Sequence, residues 1–133
     1  MPPFEVQNGG PVLAVADFEA SMRFYTEGLG FSVEARFDDP SFAILGHGPV
    51  RVCLAAQGHP SEDLPDVTLT APSEPTRPSV RLVLWVADVH AVHAELVARG
   101  VPMASEPWSP PWGGGRFFAR DPDGFLVEFE TLA

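Results

Sequence analysis

Two stretches of the chain share one hydrophobic pattern. PVLAVADFEASMRFYTEGLGF starts at Pro11, and LVLWVADVHAVHAELVARGV starts at Leu82. Each opens with a short apolar run of strand character and passes through Val-Ala-Asp. Each then continues as an amphipathic stretch closed by glycine and an apolar residue. Asp17 and Asp88 directly follow the strands and suit the N-cap, where a carboxylate accepts orphan helix N–H groups. Beyond Asp17, Phe18, Met22 and Tyr25 recur at helical spacing; beyond Asp88, Val89, Val92 and Leu96 do the same. Gly30 and Gly100 suit the left-handed position that ends a helix. The Val-Ala-Asp triplets occupy 15–17 and 86–88, an offset of 71, whereas Gly30-Phe31 and Gly100-Val101 are offset by 70. The pattern assigns this one-residue slip to the helix-to-strand connection.

Further strands follow each helix. Phe31–Arg36, Ser41–Leu45 and Val50–Ala55 are the candidates in the first half; Pro102–Ser105, Phe117–Arg120 and Phe125–Glu130 are those in the second. The last two flank DPDG, a tight-turn sequence. Each half reads as β-α-β-β-β, giving an α+β protein of two tandem modules. One domain, 1–133, is expected: module one at 4–57, a Pro-rich linker at 58–79, and module two at 80–133. The linker holds five prolines, and VTLT, 67–70, is its one candidate edge strand.

Composition narrows the function classes. The net charge is −10, with eight Arg and no Lys, which disfavours nucleic acid and excludes a lysine Schiff base. Acidity of this size suits a cationic or neutral ligand. The single cysteine, Cys53, excludes an internal disulfide and a multi-Cys zinc site. No apolar run is long enough for a membrane span, and MPPFEVQNGG lacks the basic and apolar pattern of a signal peptide, so a cytoplasmic location is expected.

The duplicated module, the Val-Ala-Asp helix starts, the Phe-Tyr pair at 24–25, GLGF at 28–31 and the terminal RDPDGFLVEF together resemble the vicinal oxygen chelate superfamily. That group includes glyoxalase I, extradiol dioxygenases and bleomycin-resistance binding proteins. The resemblance covers all of the chain but the linker. It implies curled mixed sheets around a ligand-binding cup, usually completed in a homodimer. It also implies four metal-ligand positions, which match Gly10, Cys53, Arg81 and Glu128. Of these, only Glu128 is a typical ligand for a divalent ion; Gly10 has no side chain and Arg81 is a permanent cation. The expectation is a member without metal or other cofactor, with a divalent metal as the alternative. His90 and His93 have an i, i+3 spacing but fall on or near the solvent face of the second helix.

Strand alternation supplies the site. With position 81 facing the cup, Val83 and Trp85 face it too, as do Arg51, Cys53, Ala55, Leu126, Glu128 and Glu130. Arg81 and Glu128 are expected to pair where a metal would otherwise bridge them. Arg51 and Glu130 read better as strand-end charges reaching water. Trp108 and Trp112 lie in a Pro- and Gly-rich loop, 106–121, and either stack a planar or cationic ligand, pack on a partner subunit, or seal the core. Phe42, Phe117 and Phe118 are further wall candidates. Cys53 reads as an inert small residue and Tyr25 as core. The expected function is metal-free binding of an aromatic or apolar small molecule, an antibiotic included. Alternatives are a metal-dependent lyase, isomerase or dioxygenase, a metal-independent enzyme with Glu128 as base, and a domain with no ligand.

Overall fold

The computed structural model describes residues 3–133. The chain divides into two compact units, Met1–Ala71 and Pro72–Ala133. In the first, strand β1 (Val12–Val15) leads into helix α1 (Phe18–Arg23), followed by β2 (Ser32–Phe37), β3 (Phe42–His47) and β4 (Val50–Ala56). These strands form one mixed sheet in the order β1-β4-β3-β2, with β1 parallel to β4 and the rest antiparallel. In the second, β5 (Arg81–Trp85) leads into α2 (Val89–Ala98), then β6 (Gly115–Arg120) and β7 (Leu126–Thr131). The order is β5-β7-β6, with β5 parallel to β7. Among the described residues, no helix is long and apolar enough to cross a membrane.

Both helices start as expected. Asp17 Oδ1 accepts the Ala20 N–H at 3.1 Å, and Asp88 Oδ1 accepts those of His90 and Ala91 at 3.0 and 3.3 Å. Thr131 at the end of β7 ties α2 to the sheet: its hydroxyl accepts from the Val89 N–H and donates to the Val86 carbonyl. Gly30 and Gly100 take left-handed φ values of 81° and 77°.

The one-residue slip lies in the helix, not after it. Phe24–Gly28 is a π-helical turn. Leu29, Gly30 and Phe31 donate to the carbonyls of Phe24, Thr26 and Tyr25, whereas Arg99, Gly100 and Val101 donate to those of Glu95, Val97 and Leu96. The first set spans 5, 4 and 6 residues; the second spans 4, 3 and 5. Each closing bond of the first helix therefore encloses one extra residue, which a π turn accommodates without breaking the bond pattern.

Two expected strands do not form. Pro102–Ser105 makes only a single bridge, Met103 to Ala119. Pro102 has no N–H, and the Ser105 hydroxyl instead of a carbonyl accepts the Phe118 N–H at 3.0 Å. VTLT is not a strand; its contact with the first unit's sheet end is the Leu69 carbonyl, which accepts the Gly58 N–H at 2.9 Å.

Each core lies between a sheet and its own helix. In the first unit Leu13, Val15, Leu45, Val52 and Leu54 are buried, with Met22 and Tyr25 of the helical segment. In the second, α2 packs on β6 and β7, where Phe117 stacks on Phe129 with centroids 5.0 Å apart and Val89 and Leu96 are buried. Burying side chains of this size stabilises by about 1.5–3 kcal/mol each.

Candidate functional site

Register sets the other face of the second sheet. Arg81, Val83 and Trp85 on β5 stand level with Leu126, Glu128 and Glu130 on β7. Those three stand level with Arg120, Phe118 and Arg116 on β6. Paired positions share a face, so this face carries three Arg and two Glu around aromatic rings, while Leu84, Phe129 and Phe117 occupy the face under α2. Phe117, a candidate wall residue, is thus fully buried core, and Phe118 takes the exposed face.

Glu128 sits at the centre and is 3% exposed. Arg81 Nε reaches its Oε1 at 3.2 Å, two residues along the neighbouring strand from its own register partner Leu126. The two are within ion-pair reach, yet Oε1 receives no hydrogen bond, because the Arg81 N–H is not aimed at it. The contact is a charge pair without a linear bond. The Arg81 guanidinium also lies 5.5 Å from the centroid of the Phe118 ring. Trp85 donates to Glu130 at 2.9 Å, and Arg120 donates to the carbonyls of Pro75 and Gly124. Arg116 lies over both Trp108, at 5.1 Å, and Phe118, at 5.4 Å.

The long loop is held by a two-bond bridge. Trp108 and Arg116 exchange N–H and carbonyl bonds of 2.9 Å, which fixes Trp108 beside β6. Trp112 meets it edge to face at 5.8 Å, and both rings stay exposed, at 48% and 66%. The Asp-Pro-Asp-Gly turn before β7 is anchored by Asp121, whose Oδ1 accepts the N–H groups of Asp123 and Phe125.

The first sheet places the remaining candidates. Cys53 stands level with Val12 and Ile44, and Phe42 with Ala55, so Phe42 and Cys53 share a face. Burial pushes the Cys53 thiol up. Arg51 does not simply reach water: its Nε lies 2.6 Å from Glu34 Oε2, and Nη1 donates to the Gly48 and Val50 carbonyls. Glu34 is the extra residue of a bulge in β2, which aims it at Arg51. Glu130 likewise has a partner in Trp85 rather than only solvent. His93 is not on the solvent face as expected; it packs edge-on against Phe117 at 5.0 Å, with Glu106 3.5 Å away.

The four positions matched to metal ligands fit a metal poorly. A Cβ at Gly10 would stand 2.1 Å from the Arg51 carbonyl oxygen, so no side chain can project from there unless β4 shifts. At the second pair, the carboxylate already faces a permanent cation. Among the described residues, no three His, Cys, Asp or Glu side chains are grouped so as to hold an ion.

Two helix-backed mixed sheets with a shared module pattern define an α+β protein built by duplication. The chain belongs to the Glyoxalase/Bleomycin resistance protein/Dioxygenase superfamily, whose family model matches residues 9–129. Among solved structures, it is similar to TnmS3, an antibiotic binding protein from Streptomyces sp. CB03234, with 24% identity, a TM-score of 0.71, and coverage of 100% of this chain and 99% of that one. It is also similar to a glyoxalase-related enzyme from Fulvimarina pelagi, with 27% identity, a TM-score of 0.68, and coverage of 96% and 89%. An integron cassette protein from V. cholerae matches at 21% identity and a TM-score of 0.70, with full coverage of both chains. No curated protein matches.

Arg116 and Arg120 are the residues of this face that sequence reasoning missed. Alternation on β6 carried the signal, since Arg116 stands two residues before Phe118 and so shares its face.

Proposed function

We propose that this chain is a metal-free small-molecule binding protein that holds an aromatic ligand on the exposed face of its second sheet, sequestering an antibiotic or another aromatic metabolite. The observation that carries this reading is Arg81 beside Glu128: a guanidinium stands where a cation would have to sit to use the one typical ligand of the set. Gly10, which has no room for a side chain, supports the same reading. The exposed rings of Trp85, Trp108 and Trp112 offer stacking surface. A protein that only sequesters needs affinity and no preference for a transition state. The similarity to TnmS3, an antibiotic binding protein, agrees with this reading. A homodimer, as the resemblance implies, belongs to the proposal.

All three Trp belong to the second unit, so intrinsic fluorescence reports on the proposed face. Titration with a panel of glycopeptide and aromatic antibiotics should give saturable quenching by one class. Metal analysis of protein purified without chelator should find no stoichiometric divalent ion; one ion per chain would overturn the metal-free reading.

The buried, singly partnered Glu128 carboxylate favours one second reading, a metal-independent lyase or isomerase with Glu128 as general base. A Glu128→Gln variant that binds ligand but loses turnover would establish it.

A further inference from the structure

The charges on the exposed face of the second sheet are not all matched. Arg81 faces Glu128, Glu130 accepts from Trp85, and Arg120 donates to two carbonyls. Arg116 has no carboxylate within ion-pair reach among the described residues, although Glu130 is its register partner. Its Nε–H is buried without a hydrogen-bond acceptor. The guanidinium instead lies over two aromatic rings, Trp108 and Phe118. Rings cover the faces of a guanidinium and leave its N–H donors, which lie in the plane, to be used at the edge. A carboxylate matches that edge with two parallel bonds. The residue is half-buried, so the cation stays open to a ligand while its aromatic neighbours lower the local dielectric. The protein is acidic as a whole, at −10, but this face offers an unmatched cation beside exposed tryptophans.

The geometry points to an aromatic carboxylate as the ligand class, its ring against Trp108 and Trp112 and its acid group on Arg116. This rests on the proposed function and narrows it, since net charge alone suggests a cationic or neutral ligand.

The test is isothermal titration of the whole chain with three probes of one shape: 2-naphthoate, 2-naphthamide and 2-naphthylmethylammonium. A hydrogen-bonded charge pair is worth roughly a tenfold gain or more in affinity. Naphthoate should therefore bind at least about tenfold tighter than the amide. Arg116→Gln should bring naphthoate down to the level of the amide and leave the amide unchanged, while Arg116→Lys should restore part of the difference. Equal binding of all three probes, or tightest binding of the ammonium, would overturn the assignment and leave the aromatic binding site standing. Equal loss of acid and amide in Arg116→Gln would make Arg116 only a support for Trp108 and overturn it too. Binding of none of the probes would overturn both this inference and the proposed function. The comparison in the unaltered protein tests the ligand class even if Arg116→Gln fails to fold, and Arg116→Lys then tests the residue.

Discussion

Replacing Arg81 by Met should destabilise the second unit more than neutralising its partner does. The reason lies in unequal burial. The Glu128 side chain is 4% exposed and that of Arg81 is 49% exposed. At 3.2 Å and an effective dielectric of about 20, the pair attraction is about 5 kcal/mol before solvent is counted. Water at the half-exposed guanidinium screens much of that, leaving about 2 kcal/mol. The Arg81 contact with Phe118 adds about 0.5 kcal/mol. Arg81→Met leaves a carboxylate buried with no counter-charge, so the expected loss is about 2–3 kcal/mol. Glu128→Gln leaves an arginine that can turn to water, so its loss should stay near 1 kcal/mol or below. Urea denaturation followed by Trp fluorescence measures both, because every Trp lies in this unit. With a urea slope of about 1–3 kcal/mol/M, Arg81→Met should lower the midpoint by about 1 M. The double variant should recover about 1–2 kcal/mol of the summed losses. A cost of Arg81→Met no larger than that of Glu128→Gln, or a coupling near zero, would refute the reasoning.

Three further outcomes follow from single contacts. Gly10→Ala should cost more than about 2 kcal/mol, because its Cβ meets the Arg51 carbonyl at 2.1 Å; chemical denaturation followed by circular dichroism measures this loss, and a neutral result would mean that β4 yields freely. Thr131→Val should cost about 1 kcal/mol in the same unfolding measurement, since it strips the Val89 N–H of its acceptor and the Val86 carbonyl of its donor. Burial raises the Cys53 thiol above its ordinary 9.0, so less of it is thiolate at any given pH. Its alkylation by iodoacetamide at pH 8 should run well below that of free cysteine and climb as pH passes 9; parity at pH 8 would show an open thiol.

The duplicated pattern made most of the fold legible, because helix caps and apolar runs are local signals. Asp17, Asp88, Gly30 and Gly100 each do what their position in the repeat implies. What failed to appear in the sequence depends on competing hydrogen bonds. Pro102–Ser105 has strand-like composition, but a missing N–H and a side-chain acceptor reduce its pairing to one bridge. The offset between 71 and 70 was visible in the sequence, yet its place was not. Bond spans locate it: donors at 29–31 match 99–101 at an offset of 70, and acceptors at 25 and 26 match 96 and 97 at 71. The extra residue therefore lies between Thr26 and Leu29, inside the π turn.

The face proposed as the site was legible through parity and obscured by averages. Alternation from position 81 gave Trp85, Glu128 and Glu130 a common face, and the register of β5, β7 and β6 agrees residue by residue. The same rule applied one strand further gives Phe118 and Arg116, while Phe117 turns inward. Net charge pointed the other way, because it sums over a whole surface. A ligand on the proposed face would meet only the groups within a few ångströms, and there the sum is three arginines against two glutamates. Partners then decide which of these charges still acts. Glu128 is matched by Arg81, Glu130 is engaged by Trp85, and Arg120 is engaged by carbonyls. Neutral partners do not cancel charge, so the face stays positive by one, and Arg116 is its arginine with neither a carboxylate in reach nor an acceptor for its Nε–H among the described residues.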